Sequence, residues 1–239
     1  QKYALKTAPT TRLLMPMSEE RSTLRQSVLP HLIESVAYNT SRQADAVALY
    51  EIGSVFLGET DEGLPLEQEH VAIAATSKWV DNAWQGEHKN VDFFVLKGAV
   101  EQLFAKLNVA DRIEYVAGKV EGMHPGRTAD ILLDGERIGF LGQLHPQEQK
   151  TIGVKDTFVA EINLAQVLAA EVAPLQYVAV PRYPSISRDI ALVVDRATTA
   201  KSLEAIIVEA GGKLLKAVNV FDVYEGEHME AGKKSIAFS

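Results

Sequence analysis

The chain has 239 residues, of which 46% are hydrophobic and 23% charged, with a formal net charge of -8 and a mean hydropathy of -0.03. This balance is typical of a globular protein and excludes a disordered, collagen-like or low-complexity chain. No apolar run approaches the ~20 residues that span a bilayer. The absence of cysteine excludes disulfides, thiolate nucleophiles and cysteine zinc sites.

The acidic excess is confined to residues 1–174, because residues 175–239 carry as many basic as acidic side chains. The change coincides with the stretch from Pro174 to Pro184 and predicts a domain boundary there. An acidic surface repels phosphate, so nucleic-acid contact would need a local patch or a partner subunit. The chain starts without Met and stops inside a strand-like run, which indicates a fragment of a longer protein.

The first elements are a short turn, a helix and two strands. Ser18 is a candidate cap for the turn. Apolar residues from Leu24 to Val36 recur at helical spacing, and Pro30 should delay the start of that helix. Gly53 is a candidate bulge in the first strand. The two strands are predicted at residues 46–56 and 71–75.

Asp92 opens the clearest helix, because it is a favourable N-cap and an apolar stripe runs from Phe93 to Leu107. Asp134-Gly135 is typical of a β-hairpin turn. Strands are predicted around these features at 113–116, 129–133, 138–144 and 158–162, with a short helix at 164–170. Strands mixed with helices and hairpins predict an α+β fold with a mostly antiparallel sheet.

The last part of the chain predicts the opening of a ferredoxin-like unit. Pro181 and Pro184 keep the entry to it extended. A strand at 190–195, a helix at 199–210 closed by Gly211-Gly212, and strands at 215–224 and 234–239 follow. This β-α-β-β order matches the start of a βαββαβ unit without its last helix and strand.

Signals for catalysis and for metal binding are absent from the sequence. No Walker loop and no Gly-x-Ser-x-Gly string occurs, which leaves no phosphate cradle and no hydrolase nucleophile. The six histidines lack the spacing of metal ligands, so no metal site is predicted; they are His31, His70, His88, His124, His145 and His228.

The most unusual local string runs from Met123 to Arg127. One interpretation is a ligand-facing loop formed by His124 and Arg127, in which the arginine holds an anion. The better-supported interpretation is a Pro-Gly turn between strands with a solvated arginine. An independent enzyme that uses these two side chains is a third hypothesis for the whole chain, with only this string behind it.

Several strings resemble the bacterial phenylalanyl-tRNA synthetase β-subunit family, in order and over nearly the whole chain. The first part contributes residues 17–30, 49–56, 92–98, 124–127 and 139–146. The last part contributes residues 183–191, 221–226 and 233–237, which look like the ferredoxin-fold anticodon-binding domain of that family.

The resemblance implies a noncatalytic, class II aminoacyl-tRNA synthetase-like core over residues 1–174, a linker at 175–181, and a truncated anticodon-binding domain over 182–239. It further implies a cytoplasmic α2β2 ligase in which β supports assembly and binding of phenylalanine tRNA. ATP and Mg2+ would serve the holoenzyme through the α subunit, with no cofactor in this fragment and no membrane contact. A stand-alone binding or scaffold module with the same fold is the alternative.

The residues themselves agree with a noncatalytic role. Leu49–Ile52 lacks the arginine that class II adenylation places on that strand, and Gly135–Arg137 lacks a glycine ladder before it. Without such charge-assisted contacts a triphosphate has no clamp.

Four basic residues of the matched C-terminal strings are candidates for tRNA contact: Arg182, Arg188, Lys233 and Lys234. For the two lysines, phosphate contact and a solvated or paired charge are about equally supported. For Arg188 a solvated charge or an internal ion pair, for example with Asp189 or Asp222, is favoured. For the α subunit, the candidate apolar surfaces are the Leu24–Val36 and Phe93–Leu107 stripes, because obligate interfaces resemble a core cut in half.

Overall fold

The structure is a computed structural model that describes all residues except 1, 2, 6, 7, 173, 175, 178, 227 and 228. The chain forms two compact units, Gln1–Leu175 and Gln176–Ser239. Each unit has an antiparallel sheet of its own.

The sheet of the first unit has seven strands: β1 (Ala46–Glu59), β2 (Pro65–Asn82), β3 (Glu87–Asn90), β4 (Ile113–Ala117), β5 (Met123–Leu133), β6 (Glu136–Leu144) and β7 (Thr157–Asn163). Their order is β1-β2-β7-β6-β5-β4, and β3 pairs with the end of β2. Every paired neighbour is antiparallel. The predicted α+β class with an antiparallel sheet is therefore confirmed.

Four helices accompany this sheet: α1 (Leu29–Ser41), α2 (Phe93–Lys106), α3 (Pro146–Ile152) and α4 (Leu164–Ala169). Helix α1 packs on one face, named the α1 face, and α2 packs on the other, named the α2 face. Side chains alternate along a strand, so Ala72 and Phe140 join the α1-face core while their neighbours Val71 and Leu141 join the α2-face core. Because both faces are covered, the central strands have continuous apolar sequences.

Local chemistry determines where these elements begin and turn. The Asp92 carboxylate accepts a hydrogen bond from the Val95 N–H at 2.7 Å, which confirms the predicted cap of α2. Pro30 lies in the first turn of α1, where its missing N–H costs nothing, and the helix starts one residue earlier, at Leu29. Asp134-Gly135 has positive φ at both residues, as a type I′ turn between β5 and β6 requires.

Two local predictions are wrong. Gly53 is not a bulge, because β1 keeps a regular register there and the irregularity falls between residues 56 and 59. The absence of a side chain at Gly53 instead makes room for Arg25, because a Cβ at this position would lie 2.3 Å from Nη2 of that residue. The Ser18 side chain does not cap the turn at Glu19–Arg21; its carbonyl oxygen accepts the hydrogen bond from the Arg21 N–H instead.

The two apolar stripes considered for the partner subunit are used inside the first unit. The buried residues are Leu29, Leu32, Ile33 and Val36 in α1, and Val95, Leu96, Val100 and Phe104 in α2. A side chain that already packs in its own core cannot serve as an anchor for another chain. The burial of these side chains therefore argues against either stripe as the surface for the α subunit.

The second unit contains β8 (Ile190–Asp195), α5 (Ala200–Gly211), β9 (Val220–Tyr224) and β10 (Lys233–Phe238), with the sheet order β8-β10-β9. Thr199 caps α5 by accepting a hydrogen bond from the Ser202 N–H. Strand β9 is shorter than predicted: it begins at Val220, just after Asn219, whose backbone exchanges two hydrogen bonds with that of Ser239.

Candidate nucleic-acid interface

The sheet of the second unit has one face that packs and one that stays open. Ile236 and Phe238, two alternate residues of β10, are each 1% exposed, so their side of the sheet is the packed face. Ser235 and Ala237 alternate with them and point to the opposite side, which we name the open face.

The strand register identifies the other members of the open face. Tyr224 and Val193 pair with Ser235, while Asp222 and Ala191 pair with Ala237. Directly paired side chains lie on the same face of a sheet, so these residues form two neighbouring rows. The side chain of Tyr224 is 42% exposed. The open face thus combines an accessible aromatic ring, a carboxylate and small side chains that leave room for a flat ligand.

The four basic residues predicted to contact tRNA do not form one patch. Lys233 and Lys234 are consecutive in β10, so their side chains leave opposite faces of the sheet, Lys233 on the open one. Lys233 Nζ lies 3.3 Å from a carboxylate oxygen of Glu230. Arg182 and Arg188 lie exposed in a segment without helix or strand.

Of the two interpretations favoured for Arg188, a solvated charge and an internal ion pair, the ion pair is not formed. Neither Asp189 nor Asp222 pairs with it, and no carboxylate elsewhere in the described part of the chain does so. Arg188 is therefore a solvated cation in this structure. Sequence reasoning missed Tyr224 and Asp222, although the alternation along residues 220–224 was a signal that could have separated the two faces.

The string from Met123 to Arg127 is part of β5 and is not a turn. The register between β5 and β6 is irregular from Met123 to Thr128, so the segment bulges out of the ladder. His124 Nδ1 accepts a hydrogen bond from the Gly126 N–H at 3.1 Å and stays within its own loop. The predicted Pro-Gly turn is therefore wrong, although Arg127 is exposed as that interpretation required.

Arg127 and His124 face different surroundings. Arg127 lines a cleft of about 580 Å³ on the α2 face, together with residues of α2, β4 and β5, and His124 is not part of its lining. Arg127 Nη1 donates to Oε1 of Gln143 at 2.7 Å, and Gln143 Nε2 donates to Oδ1 of Asp156 at 2.9 Å. The structure does not bring His124 and Arg127 together into a catalytic pair.

The most buried polar cluster of the first unit is structural. Glu161 on β7 accepts hydrogen bonds from Ser27 Oγ at 2.5 Å and from the Val28 N–H at 3.2 Å, and its Oε1 lies 2.8 Å from His70 Nδ1. The side chains of His70 and Glu161 are 0% exposed. In a hydrolytic triad the histidine stands between serine and acid, whereas here the carboxylate stands in the middle. The cluster ties β2 and β7 to the start of α1.

The two strings compared with class II adenylation motifs are held in internal contacts: Glu51 of the first pairs with Arg25, and Arg137 of the second pairs with Asp130. Arg25 Nη1 pairs with Oε1 of Glu51 at 2.7 Å, and its Nε donates to the Ser54 carbonyl at 2.9 Å. Arg137 pairs with Asp130 at 2.8 Å and donates to the carbonyl of Leu5 at 2.7 Å. Arginines committed in this way are not available to hold phosphates.

No group of three or more His, Asp or Glu side chains in the described part of the chain could hold a metal ion. His228, one of the six histidines considered for metal binding, lies outside the described residues. None of the helices that the structure describes is long and apolar enough to cross a bilayer.

The fold and the site define an α+β protein whose ferredoxin-like second unit presents an uncovered sheet face with an exposed aromatic ring. The family model described as the phenylalanyl tRNA synthetase beta chain CLM domain matches residues 2–164. The model described as the ferredoxin-fold anticodon binding domain matches residues 181–239. The chain belongs to the phenylalanyl-tRNA synthetase β-chain family.

Several relatives are named phenylalanine–tRNA ligase beta subunit. That of Bacillus subtilis (strain 168) is 58% identical over 237 residues, which make up 99% of this chain and 30% of the relative. That of Bacillus licheniformis is 56% identical with the same coverage, and that of Geobacillus kaustophilus is 50% identical over 238 residues. The chain spans 30% of the length of these relatives.

Proposed function

We propose that the chain is the noncatalytic part of a phenylalanine–tRNA ligase β subunit that supports subunit assembly and contacts phenylalanine tRNA through the open face of its second unit. The observation that carries the tRNA contact is the exposed ring of Tyr224 on a sheet face that no described helix covers. The match to an anticodon-binding domain and the names of the relatives support the same function.

The domain assignment belongs to this proposal. Residues 1–174 form a class II synthetase-like core, residues 175–181 a linker, and residues 182–239 the start of the anticodon-binding domain. ATP and Mg2+ act in the cytoplasmic α2β2 holoenzyme at the α subunit. Arg25 and Arg137 are both held in ion pairs within the chain, with Glu51 and Asp130. This supports the assignment of adenylation to the α subunit.

Tyr224 can stack on an unpaired base, because aromatic side chains stack on every base and a loop of tRNA presents its bases splayed outwards. Asp222 lies in the adjacent row and can accept hydrogen bonds from base amino or imino groups. Lys233, on the same face, and Arg182 and Arg188, in the exposed entry segment, supply positive charge for the phosphates. The side chain of Lys234 projects from the opposite face of the sheet, so it contributes less directly to tRNA binding.

Replacing Tyr224 by alanine in the assembled enzyme should weaken binding of phenylalanine tRNA about tenfold or more, because one stacked base contributes about 1–3 kcal/mol. Fluorescence anisotropy with labelled tRNA measures the effect. Tyr224→Phe retains the ring and should bind normally, and Tyr177→Ala removes an exposed tyrosine outside the matched domain. If Tyr224→Ala binds tRNA as tightly as the parent enzyme does, the proposed contact is wrong. Activation of phenylalanine should be unaffected in every variant, which controls for damage to the rest of the enzyme.

For assembly, the best anchor on the first unit is an apolar loop rather than either helix stripe. Leu14, Met15 and Met17 are each at least 92% exposed at the end of a narrow ribbon. The Leu13 N–H donates to the Ser22 carbonyl at 2.8 Å and so holds the base of this ribbon together. Exposed apolar side chains grouped in this way mark a protein interface.

Changing Leu14, Met15 and Met17 together to serine should weaken binding to the α subunit at least tenfold, since a few buried anchors supply most of the energy of an interface. Light scattering on mixtures of the chain and the α subunit measures complex formation. Trp84→Ser is the matched control, because Trp84 is equally exposed but lies on the β2–β3 hairpin. Equal affinity of the triple variant and the parent chain would exclude the loop as the anchor.

A further inference from the structure

Two strings that are far apart in the sequence line the same cleft in the first unit. Residues 92–94, at the start of α2, and residues 126–129, in the bulged part of β5, both line the cleft of about 580 Å³. Neither string takes part in the tRNA contact or the assembly contact proposed above. The volume lies within the range of pockets that hold small molecules.

Three aromatic residues line part of the cleft: Phe93, Phe94 and Tyr115. The rings of Phe93 and Phe94 meet edge to face, with centroids 5.5 Å apart and an interplanar angle of 86°. Phe94 is 76% exposed, which is unfavourable for a phenylalanine unless another apolar group covers it. Tyr115 adds a third ring, over which Lys97 Nζ lies 4.5 Å from the centroid.

Tyr115 contributes its ring rather than a charge. Its hydroxyl is buried and has no hydrogen-bond partner among the described residues. Burial, together with the nearby Glu101 carboxylate, raises the pKa of Tyr115 well above its ordinary value. The side chain is therefore neutral near pH 7, and its ring contributes to the lining of the cleft.

The lining also includes Arg127, which forms no ion pair with any described residue. Arg127 bonds through Nη1 to the neutral amide of Gln143, which Asp156 in turn holds in place. No carboxylate of the described residues lies within ion-pair distance of Arg127, unlike Arg112, Arg137 and Arg196, each of which is paired. A guanidinium has five N–H donors in a planar fork that fits a carboxylate with two hydrogen bonds.

We propose that this cleft binds a small aromatic carboxylate, with its carboxylate on Arg127 and its ring against Phe94 and Tyr115. Asp92 also lines the cleft and brings a negative charge to it, although one of its carboxylate oxygens accepts the hydrogen bond from the Val95 N–H that caps α2. An α-amino group on the ligand would compensate that charge, so the cleft can distinguish an aromatic amino acid from an aromatic acid without an amine. The site is independent of tRNA, and its failure would leave the proposed tRNA contact standing.

Calorimetric titration of the chain with L-phenylalanine, 3-phenylpropionate and phenethylamine tests the site. We expect the two carboxylates to bind and phenethylamine, which lacks a carboxylate, to bind at least tenfold more weakly. Arg127→Gln should reduce carboxylate binding about tenfold, since the charge-assisted pair is lost. Phe94→Ala should also weaken both acids. Arg42→Gln, at an exposed arginine outside the cleft, should change nothing.

The Asp92→Asn variant shows whether the site recognises an amino acid or only an aromatic carboxylate. Asparagine can still cap α2, but it carries no charge to attract the amino group. Weaker binding of L-phenylalanine with unchanged binding of 3-phenylpropionate identifies an amino-acid site, and equal effects on the two identify a site for the carboxylate alone. The proposal is overturned if no probe binds at about 10 mM. It is equally overturned if Arg127→Gln binds as the parent does, or if phenethylamine binds as tightly as the acids.

Discussion

Replacing Glu161 by alanine should lower the free energy of unfolding of the first unit by about 4 kcal/mol, the cost of breaking a fully buried charged cluster. The carboxylate accepts hydrogen bonds from Ser27 and from the Val28 N–H at the start of α1, and it contacts His70 on β2. Without it, these buried donors lose their acceptor, and each unsatisfied group costs about 1–3 kcal/mol. Helix α1 also loses the negative charge at its positive end.

Urea unfolding followed by tryptophan fluorescence measures this effect, since both tryptophans, Trp79 and Trp84, lie in the first unit. Glu161→Gln retains the shape and one acceptor, so it should cost about half as much. Glu114→Ala is the control: this residue lies exposed on β4, and its loss should change stability by less than about 0.5 kcal/mol. A loss below about 1 kcal/mol in Glu161→Ala would show that the cluster contributes little.

The buried cluster shows a limit of sequence reasoning. Ser27 and Glu161 are 134 positions apart, and His70 lies between them on another strand. No local pattern of charge or hydrophobicity predicts that these three side chains meet, because the contact depends on the order of the strands in the sheet. The Asp92 cap of α2 and the β5–β6 hairpin were predictable because a cap or turn needs only a few neighbouring residues.

Two elements were missed for different reasons. Strand β3 (Glu87–Asn90) is polar and exposed throughout, so it has no apolar pattern and exists only because β2 pairs with it. Helix α3 did carry signals, with Pro146 in its first turn and Gly153 in the left-handed conformation directly after its last residue. Those signals flank only seven residues, too few for an amphipathic stripe to show.

The surface proposed for tRNA was partly predictable. The family resemblance located it in the last part of the chain, and Lys233 does lie on the open face. Positive charge alone could not show which of the four basic candidates lie on the open face. The face on which a side chain lies depends on strand register, which the sequence does not give. Selecting candidates by their positive charge included Lys234, whose side chain lies on the packed face. It overlooked Tyr224, whose neutral ring lies on the open face.

Replacing Gly142 by alanine should destabilise the first unit by about 3 kcal/mol, although it adds only one methyl group. A Cβ at this position in β6 would lie 2.4 Å from the carbonyl oxygen of Arg127 and 2.8 Å from the Cα of Thr128. Both atoms belong to the backbone of β5, so no flexible side chain can move aside. The strands must separate at the point where the bulge of β5 sets the position of Arg127 in the cleft.

Gly98→Ala is a matched control that should change the stability of the first unit in the opposite direction. Gly98 lies within α2, and a Cβ there would meet no atom within 4 Å. The same chemical change should therefore stabilise the first unit by about 0.5–1 kcal/mol, because alanine is the better helix former. Thermal unfolding of both variants checks the prediction, and a Gly142→Ala protein as stable as the parent would contradict it. Because the clash is with Arg127 itself, Gly142→Ala should also weaken aromatic carboxylate binding while leaving the affinity for tRNA, which depends on Tyr224, unchanged.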